Sequence, residues 1–143
     1  MELRERVKSA YSDVAIDPEG EHAFPAGAEF AHSLGYPKKL LESVPETVRE
    51  SFAGVSNLSV QAAIPQGSRV LDLGCGAGLD SFVAGGKVGP RGHVFGVDFS
   101  RPMIEKACSA SEHLETDNVS FALADAERFP LPAASVDLVL VNG

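Results

Sequence analysis

Apolar positions along this chain change their spacing once, near residues 65–67, Pro-Gln-Gly. Before that point they recur at helical intervals. Leu3, Val7, Ala10 and Tyr11 fall on one face of a helix. Residues 17–27 hold two prolines and two glycines, which predicts a loop. Leu40, Leu41 and Val44 predict a further turn or two of helix. Pro45 then suits a first helical turn, with Glu46 well placed beside a helix N-terminus. Val48 and Phe52 share the face that follows, and Gly54 marks its expected stop.

After Gly67 the pattern alternates between strand and helix. Arg69–Leu73 is a short apolar run closed by glycines, a buried-strand signal. Leu79–Val88 predicts a helix with Leu79, Phe82 and Val83 on one face. Gly85 and Gly86 weaken it by about 1 kcal/mol each relative to Ala. Residues 93–97 form a second predicted strand after the Gly-Pro-Arg-Gly turn. Ser100 as N-cap and Pro102 in the first turn then open a helix. Its apolar face carries Met103, Ile104, Ala107, Cys108, Ser111 and Leu114. Residues 119–123 give a third strand and 136–141, VDLVLV, a fourth. The last is nearly all apolar, as expected of a parallel strand covered on both faces. This order predicts an α/β fold, a Rossmann-like parallel sheet with right-handed crossovers. The expected organisation is an N-terminal helical segment, 1–65, before a sheet domain, 66–143.

Composition narrows the function classes. The chain has 143 residues, 44% hydrophobic and 22% charged, an ordinary balance for one folded domain. No apolar run approaches the roughly 20 residues that span a bilayer. The first residues, MELRERVKSAYSD, lack the apolar stretch of a signal peptide. A cytoplasmic protein without a membrane partner is expected. The net charge of −8 argues against nonspecific binding to nucleic acid. Two cysteines, Cys75 and Cys108, are too few for a disulfide framework or a Cys-only zinc site. His22, His32, His93 and His113 show no ligand spacing, so no metal site is expected.

In such a sheet, ligands bind beyond the carboxyl ends of the strands. The first strand runs into Asp72-Leu73-Gly74-Cys75-Gly76-Ala77-Gly78. Glycines there let the backbone turn sharply and approach a ligand, and a helix N-terminus opens on the same space. The spacing is G-x-G-x-G, not the G-x-G-x-x-G of dinucleotide sites. Asp72 would repel a pyrophosphate: like charges about 4 Å apart cost about 4 kcal/mol at an effective dielectric of 20. The same carboxylate attracts an ammonium, such as that of S-adenosyl-L-methionine. A plain strand-to-helix turn with a surface Asp is the structural alternative.

Asp98 ends the second strand, placed to accept hydrogen bonds from two ribose hydroxyls. Nicotinamide and S-adenosylmethionine sites share that feature, and a turn Asp would look the same. Phe99 suits the face of an adenine or a place in the core. Asp125 and Ala126 follow the third strand, where a carboxylate can accept from an adenine amine or sit in a loop. Asn142 lies at the edge of the same crevice after the fourth strand.

These motifs together resemble the class I S-adenosylmethionine-dependent methyltransferases. The likeness runs from about Gln66 to Gly143 and rests on VLDLGCGAG at 70–78, VFGVDFS at 94–100 and ADAERFPLPAASVDLVLVNG at 124–143. It implies that Asp72, Gly74, Gly76 and Gly78 hold the methionine moiety, with Cys75 in the same loop. It places Asp98 on the ribose and Asp125 beside the adenine. A narrower similarity, to the arsenite methyltransferase branch, covers GCGAGLDSFVAGGKVGPRGHVFGVDFSRPMIEKA, including Asp80, and LGYPKKLLESVPE at 34–46.

Metalloid methylation in that branch relies on cysteine thiolates. Residues 1–74 contain none, which argues against arsenite, since a soft metalloid needs soft ligands. The family sheet has seven strands and this chain reaches the fourth, so a C-terminally truncated chain with an open strand edge, prone to self-association, is expected. The expected function is methyl transfer to a small-molecule acceptor, with the N-terminal helices covering the cofactor or acceptor. Two rivals stand beside it. One is a non-catalytic S-adenosylmethionine-binding fragment; the other is a nicotinamide-dependent oxidoreductase.

Overall fold

The computed structural model describes residues 2–22, 24–125, 128 and 131–143. Five helices precede the sheet among them: α1 (Leu3–Ile16), α2 (Ala28–Ser33), α3 (Lys38–Glu42), α4 (Glu46–Glu50) and α5 (Leu58–Gln61). Then come β1 (Arg69–Leu73), α6 (Leu79–Val88), β2 (His93–Asp98), α7 (Arg101–Leu114), β3 (Val119–Leu123) and β4 (Leu138–Val141). The four strands form one parallel sheet in the order β3-β2-β1-β4. The chain reverses direction across the sheet after β3. The ends of β1 and β4 therefore flank a topological switch point, where doubly wound sheets bind ligands.

Alternation along β1 decides what each residue faces. Val70 packs with Val94, Val119, Leu140, Ala84 and Val88 in the core between the sheet and α6. A second cluster joins the N-terminal helices to the sheet domain: Tyr36, Leu41, Val44, Val48 and Phe52 pack with Leu79 and Ala110. Burial of that cluster, more than helix propensity, holds such short helices in place. A third cluster packs Val14 and Ala15 of α1 on Ala77 and Met103. Lys87 donates from its ammonium to the carbonyls of Ser59, Val60 and Ala62, at 2.6, 2.8 and 3.0 Å. That charge closes the C-terminal end of α5.

Several expectations change. Helices α2 and α5 carry too few apolar repeats to be read from spacing. Pro45 is the N-cap of α4 and not its first helical residue, and the helix ends at Glu50, before Gly54. The buried face of α6 runs through Leu79, Asp80, Ser81, Ala84, Gly85 and Val88, while Phe82 turns its ring to Phe121. Cys108 is exposed: the packed face of α7 is Met103, Ile104, Ala107 and Ala110. Strand β4 begins at Leu138 and is not covered on both faces. Val139 is 48% and Val141 57% exposed on the uncovered face, while the strand's place at the sheet edge agrees with the open edge expected.

The paired glycines of α6 also prove unequal. A Cβ at Gly85 would lie 2.7 Å from Val119 Cγ2, whereas one at Gly86 would meet nothing within 4 Å. Gly85 is therefore a packing requirement and Gly86 only a weak helix former. Gly86→Ala is expected to raise stability by about 0.5–1 kcal/mol. Gly85→Ala is expected to lower it by about 1–3 kcal/mol through overpacking. Urea unfolding midpoints at unchanged slope test both.

Candidate functional site

The loop from β1 to α6 is built on three left-handed glycines: Gly74, Gly76 and Gly78 have φ of 74°, 57° and 99°. Non-glycine residues adopt such angles at a steric cost. Gly78 has a second reason to lack a side chain, since a Cβ would meet the Phe121 ring at 2.8 Å. At Gly74 a Cβ would meet nothing within 4 Å and would project into open space. The loop is moored to β2: the N–H groups of Gly74 and Cys75 both donate to Val97 O, at 2.8 and 2.9 Å.

Asp98 completes the mooring. Its Oδ2 accepts from Gly76 N and its Oδ1 from Ser100 N, each at 2.8 Å. One carboxylate thus ties the glycine loop to the start of α7. Each of its oxygens keeps a further lone pair for a ligand donor. Burial raises the pKa of Asp98, and the backbone donors at Ser100 and Gly76 oppose that rise. Ser100 caps α7 through Met103 N and meets Ser12 Oγ of α1 at 2.9 Å.

Two clefts open from this point, and Gly74 and Asp98 line both. The outer cleft, about 460 Å³, lies between α1 and the strand ends. Leu3, Arg4 and Val7 form one side, and Leu73, Val97, Phe99, Ala124 and Asp125 the other. The Arg4 guanidinium pairs with the Asp125 carboxylate across it. The inner cleft, about 50 Å³, lies between the glycine loop and the segment after α4. Ser51, Phe52, Ala53 and Gly54 roof it, and Cys75, Gly76, Ala77, Asp80 and Asn142 line it from below and behind.

The expected site residues therefore divide. Gly74, Cys75, Gly76, Asp98, Phe99, Asp125 and Asn142 line one cleft or both. Gly78 stands behind them at the N-cap of α6. Asp72 faces α6, where its Oδ2 accepts from Ser81 Oγ at 2.6 Å. It is 2% exposed, so contact with a ligand in the cleft would require it to turn from Ser81. Ala126 lies outside the described residues. Asn142 lines the cleft with its amide already bonded to Val55, Ser56 and Asp80. The Cys75 thiol is buried, and its pKa is raised well above the usual value by burial and by the charges of Asp72 and Asp98. Such burial disfavours the thiolate, the reactive form of a cysteine.

Sequence reasoning missed the α1 side of the outer cleft and the 51–54 roof of the inner one. The apolar stripe of α1 was visible but reads as core, and only the structure shows Leu3 76% and Val7 41% exposed beside the cleft. Nothing in the 51–54 segment marks it as a roof.

Asp72 generates a pH prediction. Its pKa is raised to about 7, chiefly by desolvation, with smaller upward pushes from Asp80 and Asp98 and an opposing bond from Ser81. Between about pH 4 and pH 7 the unfolded chain has lost this proton and the folded chain keeps it. Stability from this group is therefore complete below about pH 4, falls as pH rises, and is lost above about pH 7. Asp72→Asn, which can still accept from Ser81, is expected to remove that loss. The stability difference between variant and wild type, followed by urea unfolding from pH 4 to pH 8, should grow with pH and level off above about pH 7.

Comparison with known proteins places this geometry. Residues 64–143 match the family of methyltransferase domains. The arsenite methyltransferase of Halobacterium salinarum is 34% identical over 99% of this chain and 39% of its own length. The aklanonic acid methyltransferase DauC of a Streptomyces species is 45% identical over 52% of this chain and 34% of its own. Among solved structures, an arsenic(III) S-adenosylmethionine methyltransferase from Chlamydomonas reinhardtii superposes with a TM-score of 0.64 at 36% identity. That match covers 73% of this chain and 38% of the other. The chain thus spans about two fifths or less of the length of these relatives.

Proposed function

Because this chain belongs to the methyltransferase-domain family, within the class I S-adenosylmethionine-dependent methyltransferases, we propose that it binds S-adenosyl-L-methionine across the two clefts and serves methyl transfer to a small-molecule acceptor. The observation that carries this reading is Asp98 at the end of β2, with an oxygen lone pair available on each side and the open Gly74 beside it.

The residues present fit the cofactor. The outer cleft offers Phe99, Val97 and Leu73 to an adenine ring and the Asp125 carboxylate to its amine. Asp98 accepts from the ribose hydroxyls. Gly74 and Gly76 would hold the methionyl half, beside the inner cleft. The acidic lining suits an ammonium and a sulfonium and disfavours a pyrophosphate. Together with the G-x-G-x-G spacing, that favours this cofactor over a nicotinamide dinucleotide.

When bound, the cofactor supplies a methyl group already activated on sulfonium. The chain's part is then to orient it and to exclude water. Phe52, Ala53, Val48 and Met103 present an apolar wall for that purpose. Arsenite itself is disfavoured as acceptor, because Cys75 is the cleft's sole cysteine among the described residues and its thiol is held neutral. No helix among the described residues is long and apolar enough to cross a membrane.

Titration calorimetry with S-adenosylhomocysteine tests the cofactor. Binding is expected, with no displacement by NADH. A hydrogen bond to a charged acceptor contributes about 1.5–3 kcal/mol, so Asp98→Asn is expected to weaken affinity about 10- to 100-fold. Tight NADH binding without S-adenosylhomocysteine binding would sink the reading. Self-association through the β4 edge is a separate expectation, supported by exposed Val139 and Val141. Light scattering should show concentration-dependent association that Val139→Lys with Val141→Lys reduces.

A further inference from the structure

Asn142 lies directly after β4, and its side-chain amide joins residues 55 and 56 to Asp80 of α6. The Oδ1 accepts from Val55 N at 3.0 Å, from Ser56 N at 3.1 Å and from Ser56 Oγ at 3.4 Å. The Nδ2 donates to Ser56 O and to Asp80 Oδ2, each at 2.8 Å, and lies 3.3 Å from Tyr36 Oη. Asp80 is itself buried in the first turn of α6, where it accepts from the Tyr36 and Ser59 hydroxyls. Two backbone N–H groups and one carbonyl are thus held by one side chain, which is anchored in turn on a buried carboxylate.

The residues so held, Val55 and Ser56, directly continue the Ser51–Gly54 roof of the inner cleft. Gly54 lies against the latch: a Cβ there would come within 2.7 Å of Asn142 Nδ2 and of the Phe52 ring. Val55 is 68% exposed, so apolar burial contributes little to keeping this stretch down. The space under it, about 50 Å³, takes a few water molecules, since each needs about 10–15 Å³ by this measure. The methionyl half of S-adenosylmethionine is bulkier than that.

We propose that Asn142 is a positioning residue for the cofactor: it latches segment 53–56 over the methionyl half of the site, and this roof lifts to admit that half and closes on it. The proposal rests on the cofactor reading above. It reassigns Asn142 from a ligand contact to the residue that sets the roof. Asp80 and Tyr36 serve it by fixing the orientation of the amide.

Hydrogen exchange at the Val55 and Ser56 amides, with the dissociation rate of S-adenosylhomocysteine, tests it on the full chain. In the wild type, saturating S-adenosylhomocysteine is expected to slow exchange at both amides at least fivefold. In Asn142→Ala both amides should exchange at least tenfold faster without ligand, while the β1 amides keep their protection. S-adenosylhomocysteine should leave that variant at least fivefold faster. The proposal is overturned if the ligand binds the wild type and leaves Val55 and Ser56 exchange unchanged, or if it leaves the variant at the wild-type rate. The wild-type arm decides alone should the variant not fold. Absence of binding to the wild type would instead overturn the cofactor reading on which the proposal stands.

Discussion

Two turns at the carboxyl end of the sheet share one carboxylate. Asp98 holds Gly76 N on one side and Ser100 N on the other, while Val97 O takes the N–H groups of Gly74 and Cys75. The glycine loop, the start of α6 and the start of α7 are fixed relative to one another by these four bonds. Their donors are backbone groups that would otherwise be buried without partners, at a cost of about 1–3 kcal/mol each. Both clefts take their shape from this arrangement, because Gly74 and Asp98 belong to both. The same groups that make the loop rigid leave lone pairs and open space facing a ligand.

Around that centre, charge is distributed unevenly with depth. Asp72 and Asp80 lie behind the loop, with hydroxyl and amide donors from Ser81, Tyr36, Ser59 and Asn142. Hydrogen bonding offsets part of the cost of removing them from water, and the raised pKa of Asp72 shows that part of the cost persists. This is local stability given up beside a cleft lined by carboxylates. Burial, with the nearby carboxylates adding to it, also pushes up the pKa of the loop's cysteine.

The N-terminal helices contribute through burial and not through chemistry of their own. Tyr36, Val48 and Phe52 are buried against Leu79 and Ala110, and this fixes where the chain passes over the glycine loop. The roof of the inner cleft starts in that cluster at Phe52, and its continuation towards α5, Val55 and Ser56, is held by polar contacts with Asn142. A segment held by directional bonds and not by apolar area is suited to opening, because such bonds exchange with water at small net cost.

The local elements were legible because their causes are local. Alternation, glycine punctuation and the Ser100–Pro102 cap sufficed for β1, α6, β2, α7 and β3, and strand-end logic picked out Gly74, Asp98, Phe99 and Asp125. The family followed from the same residues. What spacing did not determine is where side chains go once elements meet. The apolar stripe of α1 reads as core, yet its first turns border a cleft, because α1 crosses the strand ends and rests on α7 only through its second half. VDLVLV reads as a doubly covered strand, yet one of its faces is exposed, because coverage depends on neighbours that its own sequence does not encode. Asp72 was chosen for its charge, yet the pleat of β1 turns it towards Ser81. Asn142 was chosen for its place at the crevice, and only the fold brings residues 55 and 56 to it across 86 positions of chain. Short-range steric and hydrogen-bonding preferences therefore set the elements and the loop, and long-range packing set which residues share the site.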